Sequence, residues 1–165
     1  MTGPAPAVPP PGWRPYDPTD CVGERVVQHI LDVLLGLVIE LVVIMAGYGV
    51  GLVLIVGLRN AVGVVLGGLF IGLGFLGALA AQFWWFAWWP SRHGDQSWAM
   101  AQRGLRVVKT DGSPVTLTEH TLRWLLLIAD GAFYGIVGLI VMSQSVTHQR
   151  LGDMVTKTVV IRVPR

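Results

Sequence analysis

Charge is scarce in this sequence and unevenly withheld. Asp, Glu, Lys and Arg make up 13% of its residues, about half the roughly 25% of an average soluble domain. None occurs between Glu40 and Arg59, and none between Arg59 and Arg92. The second of these runs exceeds the ~20 apolar residues that a bilayer-spanning helix needs. A third apolar run follows Trp124 and continues to about Val146, interrupted by Asp130. One such run fits the core helix of a soluble domain, but three in one short chain point to a membrane. Cysteine is almost absent: Cys21 stands alone, which excludes an intrachain disulfide and leaves the redox compartment unread. A net charge of +2, with no basic patch interleaved with aromatics, excludes a nucleic-acid binder. The histidines His29, His93, His120 and His148 show no H-E-x-x-H spacing, and there is no G-x-S-x-G or P-loop. No enzyme activity, metal or cofactor is expected. "GVGLVLIVG" and "GGLFIGLG" are rich in glycine, but they lie inside apolar spans with no strand before them.

What is present has a clear order. Residues 1–19 are rich in proline and read as a flexible tail. They nearly lack the n-region charge of a signal peptide, and the apolar run that follows is too long for an h-region. A first helix is expected from about Cys21–Glu24, with Asp20 as N-cap, to Leu58; Gly47, Gly49 and Gly51 offer it a bend. Arg59 and Asn60 make a turn, and a second helix covers roughly 61–89. Trp84, Trp85, Trp88 and Trp89, followed by Pro90, mark a membrane surface, where indole rings gather. Gly63 with Gly67, and Gly68 with Gly72, are four residues apart, a spacing that lets helix backbones approach closely. Packing against the first helix is the preferred reading over dimerisation. Thr116 and Glu119 form a capping-box pattern opening a third helix. Two β-branched segments, 106–110 and 158–163, are expected to pair outside the bilayer.

The fold class is therefore an all-α polytopic membrane bundle. It has two clear spans, a third broken or re-entrant helical segment, and a small β pair at the cytoplasmic surface. Lys and Arg cluster before the first helix, in the 91–115 loop and after residue 149, which by the positive-inside rule places all three in the cytoplasm. Three full crossings would put the tail outside. A third segment that enters and returns, breaking at Ala129–Gly131, removes the conflict. The location expected is the cell membrane, multi-pass, with both termini inside.

The first helix poses the functional question. It carries Arg25, His29, Asp32 and Glu40 where lipid is expected. Arg25, His29 and Asp32 fall at i, i+4 and i+7, so they share one face. A charge at the middle of a span costs ~2.5–3.5 kcal/mol on insertion scales, which favours a polar partner over lipid. Two readings stay open. In one, Asp32 is a clamp that accepts hydrogen bonds from another helix or from Arg123. In the other, it belongs to a site for a proton, cation or polar solute. Glu40 lies off this face and deeper.

Three segments carry a resemblance: "GERVVQHILDVLLG", "GDQSWAMAQRGLRVVKTDGSPVTLTEHTLRWLL" and "QRLGDMVTKTVVIR". In this order the chain resembles the RDD family of small bacterial membrane proteins over residues 20–163. The resemblance implies Arg25 as the family's arginine and Asp32 as its first aspartate. The second is Asp130 or Asp153. In "GDQSWAM", Ser97 and Ala99 stand where Thr and Gly are typical and Met100 replaces a basic residue, which weakens any role for that loop. The family's proposed function is transport, including cation/proton exchange. Two functions are carried forward: a carrier with an intramembrane Arg/Asp site, and a non-catalytic accessory or assembly subunit. The expected partners are the lipid bilayer and either further copies of the chain or other membrane subunits.

Overall fold

The computed structural model describes residues 21–131, 136–145 and 148–163. The expected tail and its neighbour Asp20 lie outside them. Of Asp130 only the backbone is described.

Helix α1 (Val22–Leu58) is one continuous α-helix. Its hydrogen-bonding pattern is unbroken through Gly47, Gly49 and Gly51. Arg59 ends it in the left-handed conformation, φ 50° and ψ 33°. The Asn60 side chain accepts from the Gly63 N–H at 2.9 Å and so caps α2 (Ala61–Phe83). Two residues thus reverse the chain, as the sequence predicted.

The two helices touch backbone to backbone. A Cβ on Gly47 would lie 2.6 Å from the Cα of Gly74, and one on Gly51 2.6 Å from the carbonyl oxygen of Gly67. No side chain fits at either crossing, so glycine is required there. Gly63 also faces α1, whereas Gly68 and Gly72 meet nothing within 4 Å. The glycine ladder therefore serves the intrachain packing preferred from the sequence, with its second pair facing outward. The outer surface is apolar: Val53 is 71% exposed and Val65 68%. An apolar surface of this extent belongs against lipid, not water. Both α1 and the continuous helical stretch from Ala61 to Arg92 are long and apolar enough to cross a membrane.

The second span does not stop near residue 89. It passes through a π-helical turn, Trp84–Trp88, and ends in a short helix α3 (Trp89–Arg92). Pro90 explains the distortion. Its ring clashes with a regular preceding turn and it has no N–H to give. The Trp89 N–H reaches back to the Trp84 carbonyl instead, widening the turn ahead of the proline.

A small polar-capped layer covers the end of this hairpin where α1 begins. It contains α4 (Trp98–Arg103), β1 (Leu105–Lys109), α5 (Leu117–Gly131), α6 (Ile136–Gln144), α7 (Leu151–Val155) and β2 (Thr158–Arg162). The strands pair antiparallel, Leu105 opposite Arg162 and Lys109 opposite Thr158. This is the expected pairing, shifted by one residue at β1. Cys21, Met100, Leu105, Val107 and Val160 form its apolar core, so the sheet is anchored on the first residue before α1. Glu119 accepts from the Thr116 N–H at 2.6 Å, completing the backbone half of the predicted capping box. Helix α5 is described to Gly131 and α6 from Ile136; the expected break at Ala129–Gly131 adjoins residues outside the described ones.

Candidate functional site

Helical spacing sorts the first half of α1 into two faces. Ile30, Leu34, Leu37 and Val38 point outward and are exposed. Arg25, Gln28 and Asp32 point inward and are buried, with Arg25 1% and Asp32 2% exposed. Buried charges need partners, and these come from the far end of the chain.

Arg25 reaches α7. Its Nη2 donates to Asp153 Oδ2 at 2.5 Å, and its Nη1 to the His148 carbonyl at 2.6 Å. Asp153 also accepts from Arg123 Nη1 on α5 and from the Arg150 backbone N–H at 3.1 Å. Arg123 in turn donates to Thr158 Oγ1 at 2.6 Å. One carboxylate thus gathers two guanidiniums and a helix N-terminal N–H. Burial alone pushes the Asp153 carboxyl up, but the charges of Arg123 and Arg25 overcome it and hold the group down at about 2.

Asp32 is engaged differently. Its Oδ2 accepts from Ser97 Oγ at 2.5 Å and from Gln28 Nε2, and its Oδ1 from the Ala99 N–H at 3.3 Å. Ser97 is also the N-cap of α4, accepting from the Met100 N–H at 3.1 Å. The "GDQSWAM" loop therefore retains a part in the site: serine supplies the hydroxyl, and residue 99 acts through its backbone. The substitutions that weakened its expected role leave those two contacts in place.

His29 lies between Arg25 and Asp32 along α1. Arg150 Nη1 lies 3.3 Å from its Nδ1, and Arg150 Nη2 donates to the Arg25 carbonyl at 3.4 Å. A guanidinium only donates, so Nδ1 is the acceptor and Nε2 carries the ring proton. His120, buried on α5, has its Nε2 3.1 Å from Asp95 Oδ1. Burial lowers its pKa more than Asp95 raises it, so the ring is neutral near pH 7 and Nε2–H is the donor.

Arg123 pairs with Asp153, not with Asp32, which corrects one expected clamp. Arg25 and Asp32 make no direct bond; Arg150 and His29 lie between them. Asp130, the other aspartate singled out, has its side chain outside the described residues. Glu40 accepts from Gln82 Nε2 on α2 at 2.7 Å, away from this cluster. Gln28, Ser97, Arg150 and Thr158 were not singled out from the sequence as site residues. The i to i+4 spacing of Gln28 and Asp32 was the one local signal for any of them.

Depth follows from helix rise. With Arg59 at one membrane surface, Asp32 lies about 40 Å away and Glu40 about 29 Å. The hydrocarbon is about 30 Å thick, and the bilayer with headgroups about 40–45 Å. Asp32 therefore falls at headgroup level and Glu40 at the edge of the hydrocarbon. The aromatic belt agrees: Trp85 Nε1 donates to the Asp32 carbonyl at 3.0 Å. The charged face of α1 thus escapes most of the mid-membrane cost.

A cavity of about 80 Å³ opens among Arg25, Gln28, His29, Asp32, Arg123 and Arg150. Among the described residues, no group of three or more His, Cys, Asp or Glu side chains is placed to hold a metal ion. Neither the curated proteins nor the solved structures contain a match to this sequence. The family model described as RDD family matches residues 21–157. That span holds Arg25, Asp32 and Asp153 as well as both candidate membrane spans, and the chain belongs to the RDD family.

Proposed function

We propose that this RDD protein carries a small polar or ionic solute across the cell membrane, binding it in the cavity at the inner end of α1. The observation that carries the reading is the cavity itself: buried groups of both signs line a space at headgroup level, beside two spans that are otherwise apolar. The solute classes considered are a proton, a cation and a small polar molecule. Asp32 is the group that would exchange a proton or bind a cation, yet both its oxygens already accept from Gln28, Ser97 and Ala99. A cation enters by displacing one of these donors. The protein performs no covalent chemistry in this reading.

Two helices enclose no path by themselves, so transport requires further copies of the chain or other membrane subunits. The outward Gly68 and Gly72 offer such a neighbour a close approach. The same face supports the second reading, an accessory subunit that holds a larger assembly. Cytoplasmic placement of both termini fits both readings. It is supported by the Lys/Arg distribution and by contacts that bring the start of α1, β1 and β2 to one end of the hairpin.

The test is flux in liposomes with purified protein, comparing wild type with Asp32→Asn. The variant keeps its hydrogen bonds if the Gln28 amide flips and the Ser97 hydroxyl rotates, so it retains shape while losing charge. Protein-dependent flux that vanishes in a folded Asp32→Asn variant is expected. Full flux in that variant excludes Asp32 as the exchanging group. No flux from wild type, with stable copurification in a larger membrane complex, favours the accessory role.

A further inference from the structure

We infer that Arg92, on the tryptophan cluster at the end of the second span, binds the headgroup of one acidic phospholipid. The site shares no residue with the cavity lining beside Arg25 and stands independently of the solute proposed for it. Its geometry is set at the helix end. Across the π-helical turn, Trp84 stacks on Trp88 with ring centroids 6.5 Å apart and meets Trp89 edge-on at 5.4 Å. Arg92 folds back over Trp88, its guanidinium carbon 5.8 Å from the ring centroid, in the direction that helical side chains lean. His93 lies flat on Trp89 at 3.6 Å and donates from Nδ1 to the Trp89 carbonyl at 2.8 Å.

The second observation is a set of donors without acceptors. Trp85 gives its indole N–H to the Asp32 carbonyl. Among the described residues, the indole N–H groups of Trp84, Trp88 and Trp89 have no acceptor, and Arg92 makes no ion pair. The nearest acid along the chain, Asp95, faces His120 and Arg106 instead. Guanidinium and indole groups only donate. These four side chains therefore present donors and one positive charge, and no acceptor. The phosphate and ester oxygens of an acidic lipid match them. A zwitterionic lipid also brings an ammonium, which Arg92 repels.

The third observation is depth. By helix rise, Trp84 lies about 35 Å from Ala61 and Arg92 about 46 Å, against about 40–45 Å for a bilayer with its headgroups. The donors thus sit in the headgroup layer of one leaflet. Toward the membrane interior the same helix is apolar and open: Leu76 is 63% exposed and Leu73 50%. Leu73 projects within about 20° of the Trp84 direction, so an acyl chain can follow the helix down from a bound headgroup. A soluble phosphate would meet the donors and leave this strip uncovered; a lipid meets both.

The experiment reads lipid retention. Purified protein in mild detergent is mixed with equal amounts of phosphatidylglycerol and phosphatidylcholine, repurified, and its bound lipid quantified by mass spectrometry. Enrichment of phosphatidylglycerol by about fivefold or more is expected, the worth of one basic side chain near an anionic surface. Arg92→Gln should remove the enrichment; the side chain is exposed and makes no bond on which the fold depends. Arg59→Gln removes the same charge at the opposite end of the hairpin and should keep it. Trp88→Phe retains a ring under Arg92 but loses the N–H, and should weaken retention. Equal retention of the two lipids overturns the inference, as does an unchanged enrichment in Arg92→Gln or an equal loss in Arg59→Gln. Excess inorganic phosphate should leave the lipid bound; full displacement by it would make this a site for a soluble anion and overturn the lipid assignment.

Discussion

At the scale of single residues, Asp153 is the hub. Replacing it with Asn leaves the Arg25 and Arg123 guanidiniums facing each other with no carboxylate between them. Removing one partner of a buried ion pair costs about 3–5 kcal/mol, so Asp153→Asn should lower unfolding stability by that order in detergent. The pH dependence has a definite sign. The folded group sits at about 2, below its ordinary 3.8, so the unfolded chain binds the proton first as pH falls. Its contribution is complete above about pH 4, declines as the carboxyl protonates, and is gone below about 2. Tryptophan fluorescence against pH should show acid unfolding in that window for wild type and a flatter profile for Asp153→Asn. An identical profile would refute the assignment. None of this hub was legible locally. Arg25 and Asp153 stand 128 residues apart, and a single sequence holds no signal that joins them. Asp32 was legible as a buried polar group through its spacing on α1, but its partner Ser97 read only as a loop residue standing where Thr is typical.

At the scale of elements, the glycine contacts separate two kinds of position. Gly51→Val places methyl groups where the Gly67 carbonyl and Ile71 side chain already lie, and overpacking of this sort typically costs 1–3 kcal/mol. Gly72→Ala meets open space within one chain and should leave monomer stability within about 0.5 kcal/mol, the range of substitutions at open surface sites. Thermal unfolding of the two variants in detergent checks the contrast. The strand register gives a second test: cysteines placed at Arg106 and Ile161, which are directly paired, should crosslink on mild oxidation. A pair at Arg106 and Val159 should not do so with comparable yield. Spans, turn and strands were all readable because each follows from local composition: apolar length, Asn as a cap, β-branched runs. The π-helical turn was not read, although Pro90 in a tryptophan-rich helix end was its visible cause. The extension of the second span to Arg92 followed from the same oversight, since proline was taken as a stop.

For the whole molecule, geometry and charge point the same way. The start of α1, the sheet and α7 share one end of the hairpin, and that end carries the Arg-rich segments. A reporter active only in the cytoplasm, fused after Arg165, is expected to be active. A fusion there that is active only outside would refute the orientation. The third apolar run was ambiguous in the sequence because its length suffices for a span. The antiparallel pairing of β1 with β2 brings the segments before and after that run to one end of the hairpin.

The Arg25–Asp153 bond also sets a clock. A ribosome adds about 5–20 residues per second, so Arg25 is polymerised roughly 6–25 s before Asp153, 128 residues later. During that interval both membrane helices are made and the arginine has no native counter-charge. A chain cut short between Arg92 and α7 has both hairpin helices and still lacks the carboxylate that closes the layer above them. Such a truncated product carries at the membrane surface an Arg25 guanidinium without the Asp153 carboxylate that binds it in the finished fold.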